Sequence, residues 1–334
     1  MSSSLKIGEI EAPTVWLAPM TGVTDLPYRA VAAGLGATYQ ATEMVACDQF
    51  AAGRADVVRR AAVGEGLPLN IIQLVGRDPR WIAEGARLAV AAGAQVVDLN
   101  FGCPAKEVTG AQSGSALMRE PELAESLVKA AVDAVSAPVT VKMRLGWDDA
   151  SRNAAELAVR FEALGVKALT IHGRTRCQFY TGQADWAAVR AVKAAVGVPV
   201  VVNGDVIDLT SARKALAQSG ADAVMVGRGA VGRPWLAAEI EAGLAGRDFA
   251  QPEAAERLGI VRDHLARSQA FYGDRVGLRM FRKHLAAYIE AAPWPSDAAA
   301  RREARGRLCR LETATEVETA LAALWNGDFG RLAA

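Results

Sequence analysis

Three reactive groups, a thiol, an amine and an imidazole, lie at or near the C-terminal ends of three separate apolar segments. Together they could deliver a proton and hold an anion. The thiol is Cys103, in Asn100-Phe101-Gly102-Cys103-Pro104-Ala105-Lys106. Gly102 and Pro104 interrupt the apolar run Gln95–Asn100, so Cys103 falls on a loop that leaves a buried strand. Most free cysteines behave as small buried hydrophobes, and Cys47, Cys177 and Cys309 fit that description. Cys103 does not, because catalytic groups gather on loops held by a rigid scaffold. A thiol with the ordinary pKa of about 8.5 is protonated at neutral pH and can act as an acid, whereas a carboxylate there would be ionised. The amine is Lys142, which shares one face of Val139-Thr140-Val141-Lys142-Met143-Arg144 with Arg144 by the two-residue repeat of a strand. A structural lysine at that place requires a buried carboxylate, and Glu43 and Asp98 are the candidates. The imidazole is His172, in His172-Gly173-Arg174; His264 and His284 read as core residues.

These groups must be positioned by a scaffold of alternating elements. Apolar, strand-like segments occur at Val15–Pro19, Ala37–Met44, Leu69–Val75, Gln95–Asn100, Val139–Leu145, Ala168–Gly173, Val200–Gly204 and Ala223–Gly227. Helical spacing fills the intervals, as in Trp81–Val90. Four helices hand over through Gly-Ala or Gly-Val pairs (Gly36-Ala37, Gly93-Ala94, Gly165-Val166, Gly220-Ala221), and two through Pro138 and Pro199. Eight strand–helix units predict an α/β fold, a (β/α)8 TIM barrel, over residues 1–244. No strand pattern returns after about Leu244. Helices are expected near Ala254–Tyr272, Val276–Ala291, Ala298–Cys309 and Ala314–Asn326, so residues 245–334 form a small C-terminal helical-bundle domain.

Active sites of such barrels sit at the C-terminal strand ends. There the chain offers Ala18-Pro19-Met20, Gln73, Asn100 with Cys103, Lys142 with Arg144, His172 with Arg174, Asn203-Gly204-Asp205 and Gly227-Arg228-Gly229. Glycines on the seventh and eighth strands, next to Arg228 and opposite an inward lysine, suggest a phosphorylated cofactor such as FMN. The remaining composition excludes other classes. The 334 residues are 51% hydrophobic with a net charge of +1, and no apolar run of about 18 residues or signal-peptide core is present. Four cysteines without paired spacing and three scattered histidines predict reduced cytosolic thiols and no metal site. Arginine clusters at Arg275, Arg279, Arg282 and Lys283, and at Arg301–Arg310, read on composition more as solvated faces than as nucleic-acid sites.

Taken in order, these segments resemble the bacterial tRNA-dihydrouridine synthases, in particular the B subgroup with its nitrogen-regulation-associated members. The resemblance is carried by Ala18-Pro19-Met20-Thr21-Gly22-Val23-Thr24-Asp25, Gln73-Leu74-Val75-Gly76, Asn100-Phe101-Gly102-Cys103-Pro104 and Gly114-Ser115-Ala116-Leu117-Met118. It continues through Val141–Trp147, Leu169–Arg176, Asn203-Gly204-Asp205 and Gly220–Arg228, with a looser match at Leu278–His284. The resemblance implies an FMN enzyme, driven by NADPH, that reduces a D-loop uridine of tRNA to 5,6-dihydrouridine, with U17 the position the subgroup suggests. It assigns hydride transfer from flavin N5 to uracil C6, and proton transfer to C5 from Cys103. Ala18, Pro19, Met20, Gln73, Lys142, His172, Asn203, Gly204, Asp205, Gly227 and Arg228 are implied to hold FMN. Asn100 is expected at the uracil edge, and Lys106, Arg144, Arg174, Arg176, Arg279, Arg282 and Lys283 along the tRNA. A cytoplasmic monomer without membrane contact is expected. The alternatives are a flavin barrel reducing a free pyrimidine, of the dihydroorotate dehydrogenase kind, and a tRNA-binding folding aid or regulator.

Overall fold

The computed structural model describes residues 5–64, 66–110, 112–292 and 297–327. The outermost residues of both expected segments, 1–4 and 328–334, thus lie outside the described residues. Among the described residues ten strands form: β1 (Leu5–Ile7), β2 (Ile10–Ala12), β3 (Val15–Leu17), β4 (Ala41–Ala46), β5 (Ile71–Val75), β6 (Val96–Phe101), β7 (Val139–Arg144), β8 (Ala168–His172), β9 (Val200–Asn203) and β10 (Ala223–Val226). Strands β3 to β10 correspond to the eight expected from sequence, and they make one parallel sheet in the order β3-β10-β9-β8-β7-β6-β5-β4. The sheet closes on itself where Leu17 bridges Gln40 in parallel and Leu17 N donates to Tyr39 O at 2.9 Å. This is a (β/α)8 barrel.

The handover glycines act as expected. At Gly93 (φ 100°) and Gly165 (φ 102°) the chain turns left-handed, and the next residue donates back into the helix, Ala94 N to Ala89 O at 2.9 Å and Val166 N to Phe161 O at 3.1 Å. A side chain at either glycine would be strained in that region, which is why glycine ends these helices.

Side chains of the barrel sort into layers by the strand repeat. At the N-terminal ends the inward residues are apolar: Trp16, Ile71, Val96, Ala168, Val201 and Ala223 form one buried cluster with Ile7. The β1–β2 hairpin, which no sequence periodicity predicted, supplies Ile7 and packs Leu5, Ile10 and Ala12 against that cluster. One or two repeats further along, the inward positions become polar: Gln73, Asp98, Asn100, Thr140, Lys142, Thr170, His172 and Asn203. Register carries them side by side, with Gln73 opposite Asp98, Asp98 opposite Thr140, Asn100 opposite Lys142, and Arg144 opposite His172 and that in turn opposite Asn203. The apolar bottom and polar top leave the chemistry at the C-terminal mouth. A larger apolar cluster fills the space between the sheet and the surrounding helices.

Beyond Leu244 the described residues form four helices, at Ala254–Tyr272, Asp274–Ala291, Ala298–Leu308 and Ala314–Trp325. These helices share an apolar cluster of their own, including Val261, Phe281, Leu308, Leu321 and Trp325. Thr313 starts the last of them with a capping box: its hydroxyl accepts from Glu316 N at 3.2 Å while the Glu316 carboxylate accepts from Thr313 N at 3.0 Å. The helices meet the barrel at the Leu26–Gly34 helix, where Tyr272 donates to the Asp25 carboxylate at 3.0 Å and His284 stacks on Tyr28 with ring centroids 5.3 Å apart. Asp25, His264 and His284 cluster there. His264 meets the Tyr288 hydroxyl at 3.0 Å, as a core histidine should, whereas both ring nitrogens of His284 are buried without a partner among the described residues. No helix among the described residues is long and apolar enough to cross a membrane.

Candidate active site at the barrel mouth

The Cys103 loop is pinned from three sides. Where β6 ends, Asn100 Oδ1 turns back to accept from Gly102 N at 3.1 Å and Cys103 N at 2.9 Å. From behind, Ser115 donates through its N–H (3.1 Å) and its hydroxyl (2.8 Å) to Cys103 O. Gly114 makes that approach possible, since a Cβ there would stand 2.9 Å from the same oxygen and φ is 61°. From β7, Arg144 Nε donates to Gly102 O at 2.7 Å. Sulfur geometry is therefore set by backbone and buried side chains, and the residue remains half-buried. Burial raises the thiol pKa. The Ala105 N–H and the charges of Arg144 and Lys142 only partly offset this, so the sulfur keeps its proton at neutral pH.

A chain of hydrogen bonds runs beneath the loop. Asn100 Nδ2 donates to Gln73 Oε1 at 2.8 Å, Gln73 Nε2 to the Asp98 carboxylate at 2.6 Å, and Thr140 Oγ1 to the same carboxylate at 2.6 Å. Burial pushes Asp98 up to about 6, against the lowering effect of those donors and of Lys142. Lys142 is pushed down to about 8, mainly by burial and then by the like charge of Arg144. Asp98 is thus the carboxylate that answers Lys142 electrostatically, yet among the described residues the ammonium makes no hydrogen bond or ion pair. Glu43, the other candidate, accepts instead from Gly22 N.

His172 closes the far wall. Its Nε2 lies 3.3 Å from Arg174 Nη1, and a guanidinium can only donate, so the ring proton belongs on Nδ1. Burial and the charges of Lys142, Arg144, Arg174 and Arg228 hold the imidazole neutral, far below its usual range. Gly204 packs against it so closely that a Cβ would sit 2.8 Å from the ring. Asn203 Nδ2 donates to Met225 O at 2.8 Å, and Asp205, at φ 55°, accepts from Arg174 at 2.6 Å and Ala184 N at 2.8 Å. Gly227 faces Ala18 and Met20 across the seam between β10 and β3, and the Arg228 side chain is 64% exposed and ion-paired to Asp205 at 3.8 Å. Pro19 lies in the same loop, half-buried.

Several sequence-based expectations need correction. Arg144 and Arg174 are each only 1% exposed and cannot run along an RNA backbone. Arg144 spends its donors on the carbonyls of Gly102, Thr175 and Phe179, and Arg174 on those of Thr181 and Gly182 and on Asp205. Asn100, expected at a uracil edge, braces the thiol loop with both ends of its amide and keeps one N–H to offer. Arg282 is half-buried and donates to Leu311 O at 3.0 Å. Lys106 and Arg279 are exposed, and Lys283 reaches from its helix to the barrel loop, its Nζ 3.1 Å from where a Gly22 Cβ would be.

Sequence reasoning missed an aromatic rim. Arg119 lies 3.8 Å and Arg176 4.6 Å from the Trp147 ring centroid, with Arg176 also 4.7 Å from that of Phe179. Across the mouth, Tyr180 carries Arg228 at 4.8 Å and Arg144 at 5.5 Å. The only signal in sequence was aromatics beside arginines in the loops after the fifth and sixth barrel strands.

The donor set fits a flavin phosphate. An ammonium without a partner among the described residues, a neutral imidazole and glycine-lined walls converge on one opening, which suits an electron-rich ring edge with an anionic tail.

Residues 16–324 match the family described as "Dihydrouridine synthase". The chain is 52% identical over 286 residues to a "Probable tRNA-dihydrouridine synthase" of Rhodobacter capsulatus, covering 85% of this chain and 88% of that one. It is 44% identical to the "tRNA-dihydrouridine synthase B" of Xanthomonas axonopodis pv. citri, covering 86% of each. Among solved structures it shares its fold with histamine dehydrogenase from Rhizobium sp. 4-9 (TM-score 0.54, 14% identity, 79% of this chain and 50% of that one). A 2-naphthoyl-CoA reductase complex is similar in the same sense (TM-score 0.56, 12% identity, 73% and 52%). The chain spans about half of each of those two proteins, and at such identities the likeness extends to the fold alone.

Proposed function

The chain belongs to the dihydrouridine synthase family, and from that premise we propose that it reduces a D-loop uridine of tRNA, U17, to 5,6-dihydrouridine, using FMN and NADPH. Bound and reduced, FMN supplies the hydride that C6 of the uracil receives. This chain's residues do the rest. Lys142 offers its ammonium, without a partner among the described residues, to the negative edge of the ring, and neutral His172 lines the wall; Gln73, expected at the flavin, is fully buried behind it and ties Asn100 to Asp98. Ala18, Pro19 and Met20 flank the ring, while Asn203, Gly204, Asp205, Gly227 and Arg228 take the ribityl and phosphate end. Cys103 donates its proton to C5 and so quenches the enolate-like charge left by hydride addition, and Asn100 fixes the distance from which it does so.

One observation carries this reading: a half-buried thiol, kept protonated and pinned by three independent contacts, on the loop of the same mouth as an unpartnered ammonium. The target base must leave its stack to reach that mouth. We assign residues 1–244 to the flavin barrel and residues 245–334 to a helical domain that grips the tRNA body through Arg279 and Lys283, with Lys106 and Arg176 on the barrel side. A barrel acting on a free pyrimidine has no use for such a domain. The enzyme acts as a cytoplasmic monomer.

The test is direct. Purified protein ought to be yellow, bleach with NADPH, and recover its colour when unmodified tRNA is added, with dihydrouridine mapped to the D-loop. A colourless protein that takes up no FMN, or one that reoxidises equally fast with free uridine, defeats the reading.

A further inference from the structure

Of the cluster around Trp147 only Arg176 has a part in the reading above, yet the whole cluster is built as carefully as the thiol loop. Arg119 ends the short 3-10 helix Gly114–Arg119, whose Ser115 holds Cys103 O. Trp147 follows β7 and is tied to the next loop by Arg176 N to Gly146 O and Cys177 N to Trp147 O, both at 2.9 Å. Arg176 Nη2 reaches Thr109 Oγ1 at 3.3 Å, on the segment just after Cys103. Two guanidiniums thus share one indole, at 3.8 and 4.6 Å from its centroid, in fixed relation to the sulfur.

Neither guanidinium is ion-paired, although Arg119 acts electrostatically on Glu120. Among the described residues no carboxylate lies within 4.0 Å of either guanidinium. Of the acids on the flanking loops, Glu120 is held by Arg77 in a two-pronged pair at 2.8 and 2.9 Å, Asp149 by Arg152 at 2.7 Å and Asp148 by Ser151 and Ala150, while exposed Glu107 stands on the helix of Thr109 without an ion pair to either guanidinium among the described residues. Like charges this close repel across less than a Debye length, and the indole face offsets only part of that. The cation–π contact with the indole consumes no hydrogen-bond acceptor for either guanidinium. Arg119 makes no hydrogen bond among the described residues, and Arg176 Nε is buried without a partner. Planar donors of that kind match phosphate oxygens.

We propose that Arg119, Trp147 and Arg176 form a stacked clamp for the phosphodiester backbone of RNA beside the base presented to Cys103. The inference rests on tRNA being the substrate. It adds to that reading a specific contact surface, two residues of which, Arg119 and Trp147, carry no role in the reduction itself. The clamp fixes where the strand enters, so the nucleotide next to it is the one that turns into the mouth.

The experiment uses the full chain loaded with FMN and an unmodified tRNA transcript, reading kcat, KM for tRNA, and tRNA binding against salt. Arg119→Ala is expected to raise KM about fivefold or more with kcat nearly unchanged, and to reduce the log–log salt slope of binding by about 0.7–0.9, one phosphate contact. Arg119→Lys should restore the slope but only part of KM, because an ammonium lacks the stacked, forked donors. Flavin absorbance and NADPH oxidation by oxygen without tRNA should not change in either variant. If Arg119→Ala and Arg176→Ala match wild type in both KM and salt slope while the wild type modifies tRNA, the clamp is wrong and the parent reading survives. If the wild type neither binds nor modifies tRNA, both readings fall, and that is known before any variant is made.

Discussion

Arg144→Ala separates two roles for a guanidinium that looks, in sequence, like an RNA contact. In the structure it donates to three backbone carbonyls: Gly102 O at 2.7 Å, Thr175 O at 2.9 Å and Phe179 O at 2.9 Å. A charge-assisted hydrogen bond contributes about 1.5 kcal/mol or more, so removing three costs roughly 4–5 kcal/mol before relaxation. Water can reach the Phe179 side and recover some of that, which leaves about 3–5 kcal/mol, the usual range for breaking a buried charged network. The functional loss follows from the same bonds. Gly102 immediately precedes Cys103, and freeing its carbonyl lets the thiol drift; a displacement of about 1 Å costs roughly 10²-fold in rate. Urea unfolding of the flavin-free chain reports the first effect, and single-turnover dihydrouridine formation at saturating tRNA reports the second. Both should fall together. Arg144→Lys should recover at most one of the three bonds. An Arg144→Ala protein with an unchanged urea midpoint and single-turnover rate, but a raised KM for tRNA, would refute the structural assignment and return Arg144 to the RNA surface.

Further perturbations address the proton and the charges. Cys103→Ala should keep FMN and tRNA binding while turnover drops about 10²–10⁴-fold, the range for losing a positioned general acid; a normal rate removes Cys103 from the reaction. Because burial raises its pKa, Cys103 should react with iodoacetamide more slowly at neutral pH than exposed Cys177 and accelerate as pH rises, so faster labelling of Cys103 speaks against a protonated sulfur. Lys142→Met should stabilise the flavin-free protein at neutral pH, since the folded state now holds an ammonium pushed down to about 8, and should weaken FMN about tenfold or more in a fluorescence titration; unaltered FMN affinity would exclude the ammonium from the site. Asp98 titrates near 6 when folded against 3.8 unfolded, so the folded chain keeps a proton that the unfolded chain releases between those values. Its contribution is full below the unfolded pKa and lost as pH rises through about 6, worth about 1–3 kcal/mol. Urea midpoints of wild type and Asp98→Asn should therefore shift in the variant's favour between about pH 4 and pH 7 by that amount, and a pH-independent difference would show the carboxyl is not shifted.

How far each of these residues was legible in sequence depends on how local its determinants are. Buried parallel strands read as apolar runs, helix ends read as Gly-Ala pairs, and the two-residue repeat says which side chains face inward. Those rules suffice to bring Gln73, Asn100, Lys142, His172 and Asn203 to one mouth, because register in a parallel sheet varies little between neighbours. They say nothing about loops. Arg144 and Arg174 looked like phosphate ligands because an arginine at a strand end carries the same charge whatever it meets. What they meet, the carbonyls of Thr175, Phe179, Thr181 and Gly182, appears only when the loop after β8 folds back over the mouth. The β1–β2 hairpin escaped because three-residue strands are too short to show a period. The Trp147 stack escaped because its members come from three loops that are adjacent only in space. An inward-facing polar residue can therefore be placed from the repeat alone, while deciding whether its charge is spent on the protein or kept for a ligand requires counting its acceptors. By that count Arg144 and Arg174 are spent, exposed Arg228 pairs at 3.8 Å with the Asp205 that Arg174 also holds, and Lys142 and Arg119 keep their charge for what binds.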